Sequence, residues 1–256
     1  MAYPNYLIST VSLLLILAGF SVHAQQLKVM TYNIHHGADA AERMTIDDIG
    51  AFIKASGADL VGLQEVDSLC GRSGQIDQMK VLAEITGMHY TFYRHFAYDG
   101  GAYGLGILSR YPISEERNER ITSLQNGEEA SLAFLAVTVR IGNQDIVFST
   151  VHFALDQPTR LAQANEVLHF LDGSDPVILT GDFNALPNTE EIQLIADRLP
   201  FLDQKEAYTF PTGAPIKKID YIFVSPSLLS KRIGTTVWED IHHSDHLPLE
   251  AKLDLN

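Results

Sequence analysis

The chain contains one cysteine, Cys70, among its 256 residues. A single thiol cannot form an intramolecular disulfide, and without thiolate partners it cannot build a structural zinc site. Both stabilising devices are therefore excluded, and stability must come from a hydrophobic core. We expect Cys70 to be a small, partly buried residue.

Positive charge is also scarce. Lysine and arginine together number 18, against 32 aspartates and glutamates, which leaves a formal net charge of −14. The basic residues are scattered along the chain. Two adjacent basic residues occur only at 217–218 and 231–232, and three in a row do not occur. Proteins that hold long nucleic acids usually carry a basic stripe. A polymeric nucleic acid is therefore a disfavoured substrate, although an acidic surface also promotes solubility and the exclusion is not complete.

Long apolar runs are limited to the N-terminal segment. The run at 11–20 (VSLLLILAGF) is too short to span a bilayer comfortably, and the small residues of 21–24 (SVHA) follow it. This pattern predicts a secretory signal peptide over 1–24. A membrane anchor is the alternative, because no Lys or Arg precedes the run. The mature chain, 25–256, is predicted to be one monomeric domain, secreted or periplasmic, without a stable membrane anchor.

The mature chain alternates apolar, β-branched segments with a few amphipathic ones. Strands are predicted at 27–34, 60–64, 90–95, 104–109, 113–121, 132–141, 144–152, 177–180, 219–224, 233–238 and 247–253. Helices are predicted to start at Thr45, with a capping box completed by Asp48, over 75–86 and 159–171, and after a cap at Asn188. Two mixed sheets packed face to face, with helices outside, fit this pattern better than one parallel sheet.

Polar side chains recur where the apolar strands end. They are Asn33, Gln64, Glu65, His152, Asp182, Asn184, Asp220, Asp245 and His246. A lone carboxylate beside a packed core is unfavourable unless it has a partner. Each of these residues alone has an equal explanation as a turn or cap residue. Together they indicate one pocket in which the polar groups share a cation.

The donor types narrow the identity of that cation. Carboxylate and amide oxygens are hard ligands, which favour Mg²⁺, with Mn²⁺ or Ca²⁺ as alternatives, and Glu65 is the strongest candidate ligand. Zinc competes because His35-His36 and His242-His243 are adjacent pairs. Adjacent histidines on one strand seldom face one metal, and the sequence has no His-Glu-x-x-His helix. The predicted cofactor is therefore Mg²⁺, with Mn²⁺ as the second choice.

Two further spacings indicate acid–base chemistry. Asp182 and Asn184 are two residues apart, so their side chains share one face if strand geometry continues through them. One would then bind a proton or metal while the other donates to an oxyanion. Asp220 and the pair Asp245-His246 supply a histidine–carboxylate couple, which is the usual device for orienting and charging a general base.

The segments that carry these residues resemble the endonuclease/exonuclease/phosphatase family, in the family's order. They are 28–37 (KVMTYNIHHG), 59–67 (DLVGLQEVD), 103–112 (YGLGILSRYP), 149–152 (STVH), 180–185 (TGDFNA), 219–224 (IDYIFV) and 244–248 (SDHLP). The family includes deoxyribonuclease I-like nucleases, abasic-site endonucleases, neutral sphingomyelinases, inositol-polyphosphate 5-phosphatases and deadenylases. The resemblance covers almost the whole mature chain.

The resemblance implies an α/β fold, a four-layer α/β/β/α sandwich of two mixed, mostly antiparallel β-sheets with outer helices and a site at one end. It also implies residue roles. Glu65 is the implied metal-binding glutamate, with Asn33 beside it as a metal ligand or phosphate contact, and Asp245 is a second metal contact or partner. Asp182 positions or deprotonates the attacking water, and Asn184 and His152 donate to phosphoryl oxygens. His246 is the implied catalytic histidine, oriented by Asp220. Whether Asp182 or His246 takes the proton of the water is left open.

Other positions have two interpretations of equal or nearly equal weight. Arg72 lies on a predicted loop. It either binds a substrate phosphate with its planar guanidinium group or is a solvated arginine. Tyr103 either donates to phosphate or packs against its neighbours, with packing slightly favoured. The segment 208–211 (YTFP) either forms a wall of the substrate pocket or belongs to the core.

The predicted function is a secreted, divalent-metal-dependent phosphoester hydrolase that acts on a small molecule or a lipid headgroup. A secreted nuclease is the first alternative. A binding protein on the same fold that has lost catalysis is the second. Such a protein would usually have lost Glu65, Asp182 or His246, and all three are present.

Overall fold

The computed structural model describes residues 26–125, 128–202 and 207–256. The predicted signal peptide at 1–24 lies outside the described residues. In the described part of the chain, no helix has the length and apolarity needed to cross a bilayer.

The described strands form two sheets. They are β1 Gln26–Asn33, β2 Leu60–Ser68, β3 His89–Tyr98, β4 Gly101–Ser109, β5 Ile113–Gln125, β6 Glu128–Ile141, β7 Gln144–His152, β8 Val177–Asp182, β9 Asp220–Val224, β10 Arg232–Val237 and β11 Leu249–Asp254. One sheet has the order β10-β11-β1-β2-β4-β3 and the other has the order β5-β6-β7-β8-β9. The pairs β1–β2 and β7–β8 are parallel, and the other described pairs are antiparallel. The prediction of mixed, mostly antiparallel sheets is confirmed.

Helices cover the outer faces of both sheets. They are α1 Ile46–Ser56, α2 Gln78–Thr86, α3 Gln157–Phe170, α4 Glu190–Ala196 and α5 Pro226–Leu229, and a 3-10 turn, His35–Gly37, follows β1. Apolar residues of α1 and α2 pack with β1, β2 and β4, whereas those of α3 and α4 pack with the five-stranded sheet. A third apolar cluster joins the inner faces of the two sheets. The predicted four-layer sandwich is therefore confirmed.

Side-chain alternation explains why the chain builds three cores. On β1, Leu27 and Val29 contribute to the cluster between the sheets, while Met30 and Tyr32 contribute to the cluster under the helices. Successive side chains of a strand point to opposite faces, so an apolar strand that is covered on both sides serves two cores. This explains why the strands read as nearly continuous apolar runs.

Three local predictions need correction. Thr45 is the N-cap residue of α1, but its side chain makes no capping hydrogen bond, because its hydroxyl donates to the carbonyl of His243 at 2.6 Å instead. The cap of α4 is Thr189 rather than Asn188. The helix predicted from residue 75 starts at Gln78, since Asp77 accepts the backbone N–H of Lys80 and caps it.

Cys70 is fully buried rather than partly buried. Burial raises the pKa of its thiol to about 11, and the nearby charge of Asp67 acts in the same direction. Cys70 is therefore an unreactive core residue at neutral pH.

A close approach between the sheets depends on Gly62 of β2. A Cβ atom at this position would clash with Thr180 Oγ1 and would lie 2.9 Å from Thr150 Oγ1, both on the opposite sheet. Close by, Gln64 Nε2 donates to Thr150 Oγ1 at 2.7 Å. A side chain at residue 62 would therefore force apart the two layers that carry the polar strand ends.

We predict that Gly62→Ala lowers the free energy of unfolding by about 1–3 kcal/mol, which is typical of overpacking a filled interior. Urea-induced unfolding measures the change. Gly234→Ala is the matched control. Gly234 is also a strand glycine, in β10, but no atom lies within 4 Å of its Cβ position. Equal stability of Gly62→Ala and the control would show that the sheets do not need the close approach at Gly62.

Candidate functional site

The alternation that builds the core between the sheets also places the polar strand ends together. On β8, Ile178 belongs to the core between the sheets, and Thr180 and Asp182 follow on the same face. Neighbouring strands bring their own polar residues to this level: Asn33 pairs with Gln64, His152 with Asp182, and Asp182 with Asp220. Because β1 and β2 lie in one sheet and β7, β8 and β9 in the other, the predicted residues converge from both sheets.

Glu65 reaches the site through a β-bulge. The register between β2 and β4 shifts between Leu63 and Val66, and Glu65 has a left-handed backbone with φ of 58°. A bulge re-aims a side chain that regular pleating would send to the other face. Burial alone would raise the pKa of Glu65, but the charge of His152 and the hydrogen bond from Asn33 outweigh it and lower the pKa. Glu65 is therefore an anion at neutral pH.

Asn33 joins two carboxylates. Its Oδ1 accepts the backbone N–H of His35 at 3.0 Å, which fixes the orientation of the amide. Its Nδ2 consequently donates to Glu65 Oε1 and to Asp182 Oδ2, both at 3.0 Å. The predicted role of Asn33 as a metal contact stays a prediction, and in this arrangement its nitrogen, not its oxygen, faces the carboxylates.

His246 lies between two buried aspartates. Its Nδ1 is 3.0 Å from Asp220 Oδ2, and its Nε2 is 3.6 Å from Asp182 Oδ2. A hydroxyl from Thr209 also donates to Asp220. Burial by itself lowers the pKa of His246, but the charges of Asp220 and Asp182 raise it to about 10. His246 is therefore a cation at neutral pH, and the expected histidine–carboxylate couple is present.

Asp182 is the centre of the constellation. It accepts the backbone N–H of Asn184 at 2.9 Å, in addition to the Asn33 donor, and His152 Nε2 lies 3.6 Å from its Oδ2. Burial raises the pKa of Asp182 first, and the neighbouring charge of Asp220 adds to it, while the two histidines oppose the shift. A carboxylate with a raised pKa is a better proton acceptor than an ordinary aspartate.

The donor set fits a divalent cation. Glu65 and Asp245 approach one another across His35, whose Nδ1 lies 3.9 Å from Glu65 Oε2 and 3.5 Å from Asp245 Oδ1. In the described part of the chain, two groups of three side chains have ligand atoms within 4.8 Å of one another: Asp182, Asp220 and His246, and His35, His36 and Glu42. His246 already links the two carboxylates of the first group, which leaves Glu65 and Asp245 as the hard oxygen donors that would hold a cation.

A cavity of about 490 Å³ opens over these groups. It is lined by Glu65, Asp182, Asp245, His152, His246, Asn184, Tyr103, His95, Phe210, Ser123, Leu132 and residues 153–156. Among these described lining residues there is no lysine or arginine. Of the segment 208–211, Phe210 lines the cavity, with its ring tilted by 48° to that of His246 and the ring centroids 4.8 Å apart.

Asn184 and Arg72 are placed differently from expectation, whereas Tyr103 is placed as one of its two interpretations requires. Strand geometry ends at Asp182, since Asn184 has φ of 49°, and its Nδ2 donates to the carbonyl of Phe153. Arg72 is not a cavity residue, because its guanidinium group binds the buried Asp67. Its Nε donates to Oδ2 at 2.8 Å and its Nη2 donates to Oδ1 at 2.9 Å. Tyr103 lines the cavity, with its hydroxyl 3.5 Å from His152 Nδ1. The roles proposed for all three stay predictions.

Two histidines of the site were not selected from the sequence. His35 faces Glu65 and Asp245, but in the sequence it appears only as half of an adjacent pair. His95 lines the cavity and is 3% exposed. Its Nδ1 accepts the backbone N–H of Ala133 at 2.8 Å, which assigns the ring proton to Nε2. That Nε2 is buried without a hydrogen-bond partner. No local signal marks it, because the strand around it reads as ordinary aromatic packing.

Comparison with known proteins agrees with the family resemblance seen in the sequence motifs. Residues 30–246 match the family model described as "Endonuclease/Exonuclease/phosphatase family". The uncharacterized protein YbhP of Escherichia coli K12 is 28% identical over 244 residues, covering 89% of this chain and 96% of YbhP.

Solved structures share the fold. An endonuclease/exonuclease/phosphatase from Beutenbergia cavernae superposes with a TM-score of 0.73 at 24% identity, covering 90% of this chain and 72% of that one. A mannosyl-6-phosphatase from Bacteroides thetaiotaomicron superposes with a TM-score of 0.69 at 20% identity, covering 88% and 98%. At these identities the likeness establishes the fold and not the substrate.

The raised pKa of His246 predicts a pH-dependent stability in EDTA. Because the pKa in the folded chain, about 10, exceeds the ordinary value of 6.5, the stabilisation is complete below pH 6.5 and is lost as the pH rises through about 10. The free energy of unfolding should therefore fall faster above pH 6.5 for the wild type than for His246→Gln, by up to about 1.4 kcal/mol per pH unit. Urea titrations at several pH values measure the difference, and parallel profiles would contradict the assignment.

The position of Glu65 predicts its effect on metal affinity. Removing its charge in Glu65→Gln should weaken Mg²⁺ binding roughly tenfold or more, since even outer partners of metal ligands have effects of that size. The shift of the thermal midpoint with Mg²⁺ concentration reports the affinity. Glu239→Gln is the control, because Glu239 is exposed and outside the cavity. An unchanged Mg²⁺ dependence in Glu65→Gln would show that Glu65 is not a ligand.

Proposed function

The chain belongs to the endonuclease/exonuclease/phosphatase family, and from this we propose that it is a divalent-metal-dependent phosphodiesterase acting on a small molecule or lipid headgroup. The observation that carries the proposal is the placement of His246 and Asp182 beside Glu65 and Asp245 in one cavity. A proton acceptor, a cationic donor and hard oxygen ligands thereby face the same space.

We assign the acid–base roles from the contacts of His246. Both of its ring nitrogens face carboxylates, and a neutral imidazole has only one N–H to donate. An imidazolium satisfies both, which leaves Asp182 as the group that orients the attacking water and takes its proton. The water oxygen bonds to phosphorus as the bond to the leaving oxygen breaks. The leaving oxygen takes a proton from solvent, and Asp182 afterwards returns its own proton to solvent. While Asp182 is protonated, the Nε2–H of His246 is free to donate to the phosphoryl oxygens, on which negative charge develops.

The metal is assigned to Glu65 and Asp245, with Mg²⁺ as the first choice and Mn²⁺ as the second. When bound, the ion supplies Lewis-acid stabilisation of the phosphoryl oxygens. The residues of the chain do the rest: Asn33 keeps Glu65 and Asp182 at a fixed separation, and Asp220 holds the ring of His246 in place. Such fixed geometry is what in-line displacement requires.

The charge of the cavity supports a phosphodiester over a phosphomonoester as substrate. Its described lining carries several carboxylates and no lysine or arginine. A phosphomonoester brings close to two negative charges at neutral pH, and a diester brings one. The net charge of −14 likewise disfavours a long nucleic acid. These features favour a singly charged, compact substrate.

An unpartnered donor in the cavity lining supports an uncharged polar group on the substrate. His95 Nε2 carries a proton without an acceptor, and Ser123 and Asp156 line the same cavity together with Leu132 and Leu155. A buried donor without a partner is unfavourable until an acceptor reaches it. A hydroxyl or carbonyl oxygen of the substrate fits that requirement.

We also propose that the protein acts outside the cytoplasm. This proposal rests on the apolar run at 11–20 and the small residues after it.

The test is hydrolysis of bis(p-nitrophenyl) phosphate and of p-nitrophenyl phosphate after EDTA treatment, with Mg²⁺ or Mn²⁺ then restored. We expect metal-dependent cleavage of the diester, at a rate at least tenfold above that of the monoester. His246→Gln should reduce the rate about a hundredfold or more, as expected for loss of a cationic donor to the phosphoryl oxygens. His242→Ala is the matched control, since His242 is exposed and lies outside the cavity.

Other outcomes identify the alternatives. Cleavage of the monoester alone would make the protein a phosphatase. Oligonucleotide binding that tightens with length and weakens steeply with salt would make it a nuclease. Silence toward every substrate and metal would favour the non-catalytic binding protein.

A further inference from the structure

Beside the cavity, two histidines and a glutamate form a second cluster. His35 Nε2 lies 3.1 Å from Glu42 Oε1, and His36 Nε2 lies 3.0 Å from Glu42 Oε2. The two imidazole centroids are 4.3 Å apart. His36 is 7% exposed, whereas the side chain of Glu42 is 68% exposed. Three donors of the kinds that bind transition metals therefore point at one place, which remains open to solvent.

The geometry of the turn removes the objection that adjacent histidines cannot share a metal. That objection holds on a strand, where neighbouring side chains point to opposite faces. Here His35 and His36 lie on a 3-10 turn, and both have left-handed backbones with φ of 45°. Glu42 is left-handed too, with φ of 58°. Three such residues without glycine's freedom are unusual in one short segment, and together they turn the three side chains toward one another.

The ring of His35 also has a carboxylate at its other nitrogen. Asp245 Oδ1 lies 3.5 Å from Nδ1, while Glu42 lies at Nε2. A histidine that ligates a metal with one nitrogen and donates to a carboxylate with the other is the usual arrangement.

We propose that His35, His36 and Glu42 form a binding site for a transition-metal ion of the Zn²⁺ class, distinct from the hard-cation site at Glu65 and Asp245. Two imidazoles and one carboxylate are a ligand set typical of zinc, with a fourth position left for water. Ligand separations of about 3.4 Å follow from tetrahedral bonds of about 2.1 Å, and the observed nitrogen–oxygen distances of 3.0 and 3.1 Å need little adjustment.

The loop that carries these ligands is held in place. Gln78 Nε2 donates to the carbonyl of His36 at 2.6 Å, and the backbone N–H of Thr45 donates to the carbonyl of Gly37 at 2.7 Å. Asp39 accepts the backbone N–H groups of Ala41 and Arg43 on either side of Glu42. The ligands therefore do not need to be ordered by the ion, which favours binding.

The site is coupled to the cavity through the ring of His35, whose Nδ1 faces Asp245 and Glu65. An ion on Nε2 would orient this ring and place positive charge beside the hard-cation ligands. The existence of the site does not depend on the proposed hydrolase activity, so it can be tested by binding alone.

The experiment is a titration of the EDTA-treated full chain with Co²⁺, whose visible absorption reports four-coordinate binding, followed by displacement with Zn²⁺. We expect one such Co²⁺ site in the wild type, displaced by Zn²⁺ and not by Mg²⁺. Glu42→Ala should weaken Co²⁺ binding at least tenfold, and it should fold because this side chain is largely exposed. Glu239→Ala is the matched control and should bind as the wild type does.

Glu65→Gln separates the two sites, and it should keep the Co²⁺ signal. Loss of the signal in Glu65→Gln with retention in Glu42→Ala would assign the ion to the cavity and overturn the proposal. Equal binding by Glu42→Ala and the wild type, or no Co²⁺ absorption at all, would also overturn it. His36→Gln is a second ligand variant whose folding is checked by its unfolding midpoint, and tight Co²⁺ binding by a folded His36→Gln would count against the site.

Discussion

The arrangement of the site depends on the repulsion among four carboxylates that converge at one end of the two sheets. Glu65, Asp182, Asp220 and Asp245 meet there, and no lysine or arginine belongs to the described cavity lining. Buried charges of one sign require compensation. The chain supplies part of it through His246, which lies between two of the carboxylates, and through the amide of Asn33. The negative charge that remains favours a divalent cation, and this is why we connect the site with metal-dependent chemistry.

The sandwich brings these charged side chains together through regular strands and through a few segments of irregular backbone. The regular alternation of side chains along strands places His152, Asp182 and Asp220 at the same level on adjacent strands of one sheet. Glu65 and His35 are placed by irregular backbone, since Glu65 lies at a bulge and His35 on a left-handed turn. The apolar cluster between the sheets makes the base of the site rigid, so the polar groups are held at defined distances. Irregular backbone thus occurs where function is proposed.

Much of this could be predicted from the sequence, for identifiable reasons. Strands, sheet class and layers follow from apolar periodicity and from the family resemblance, and the polar strand ends do lie together as expected. The sequence could not show that Arg72 is already bound to Asp67, since that contact depends on the fold of the loop. It also could not show that His95 loses its partner on burial. The sequence argument against the adjacent pair His35-His36 assumed a strand, whereas the chain makes a turn there.

The central claim is that the converging carboxylates hold a divalent cation at Glu65 and Asp245. The most direct measurement is the anomalous scattering of crystals of the protein soaked in Mn²⁺. We expect a peak within bonding distance, about 2.0–2.3 Å, of oxygen atoms from both Glu65 and Asp245. Crystals with no peak at these carboxylates, at Mn²⁺ concentrations that saturate activity or thermal stabilisation, would contradict the account.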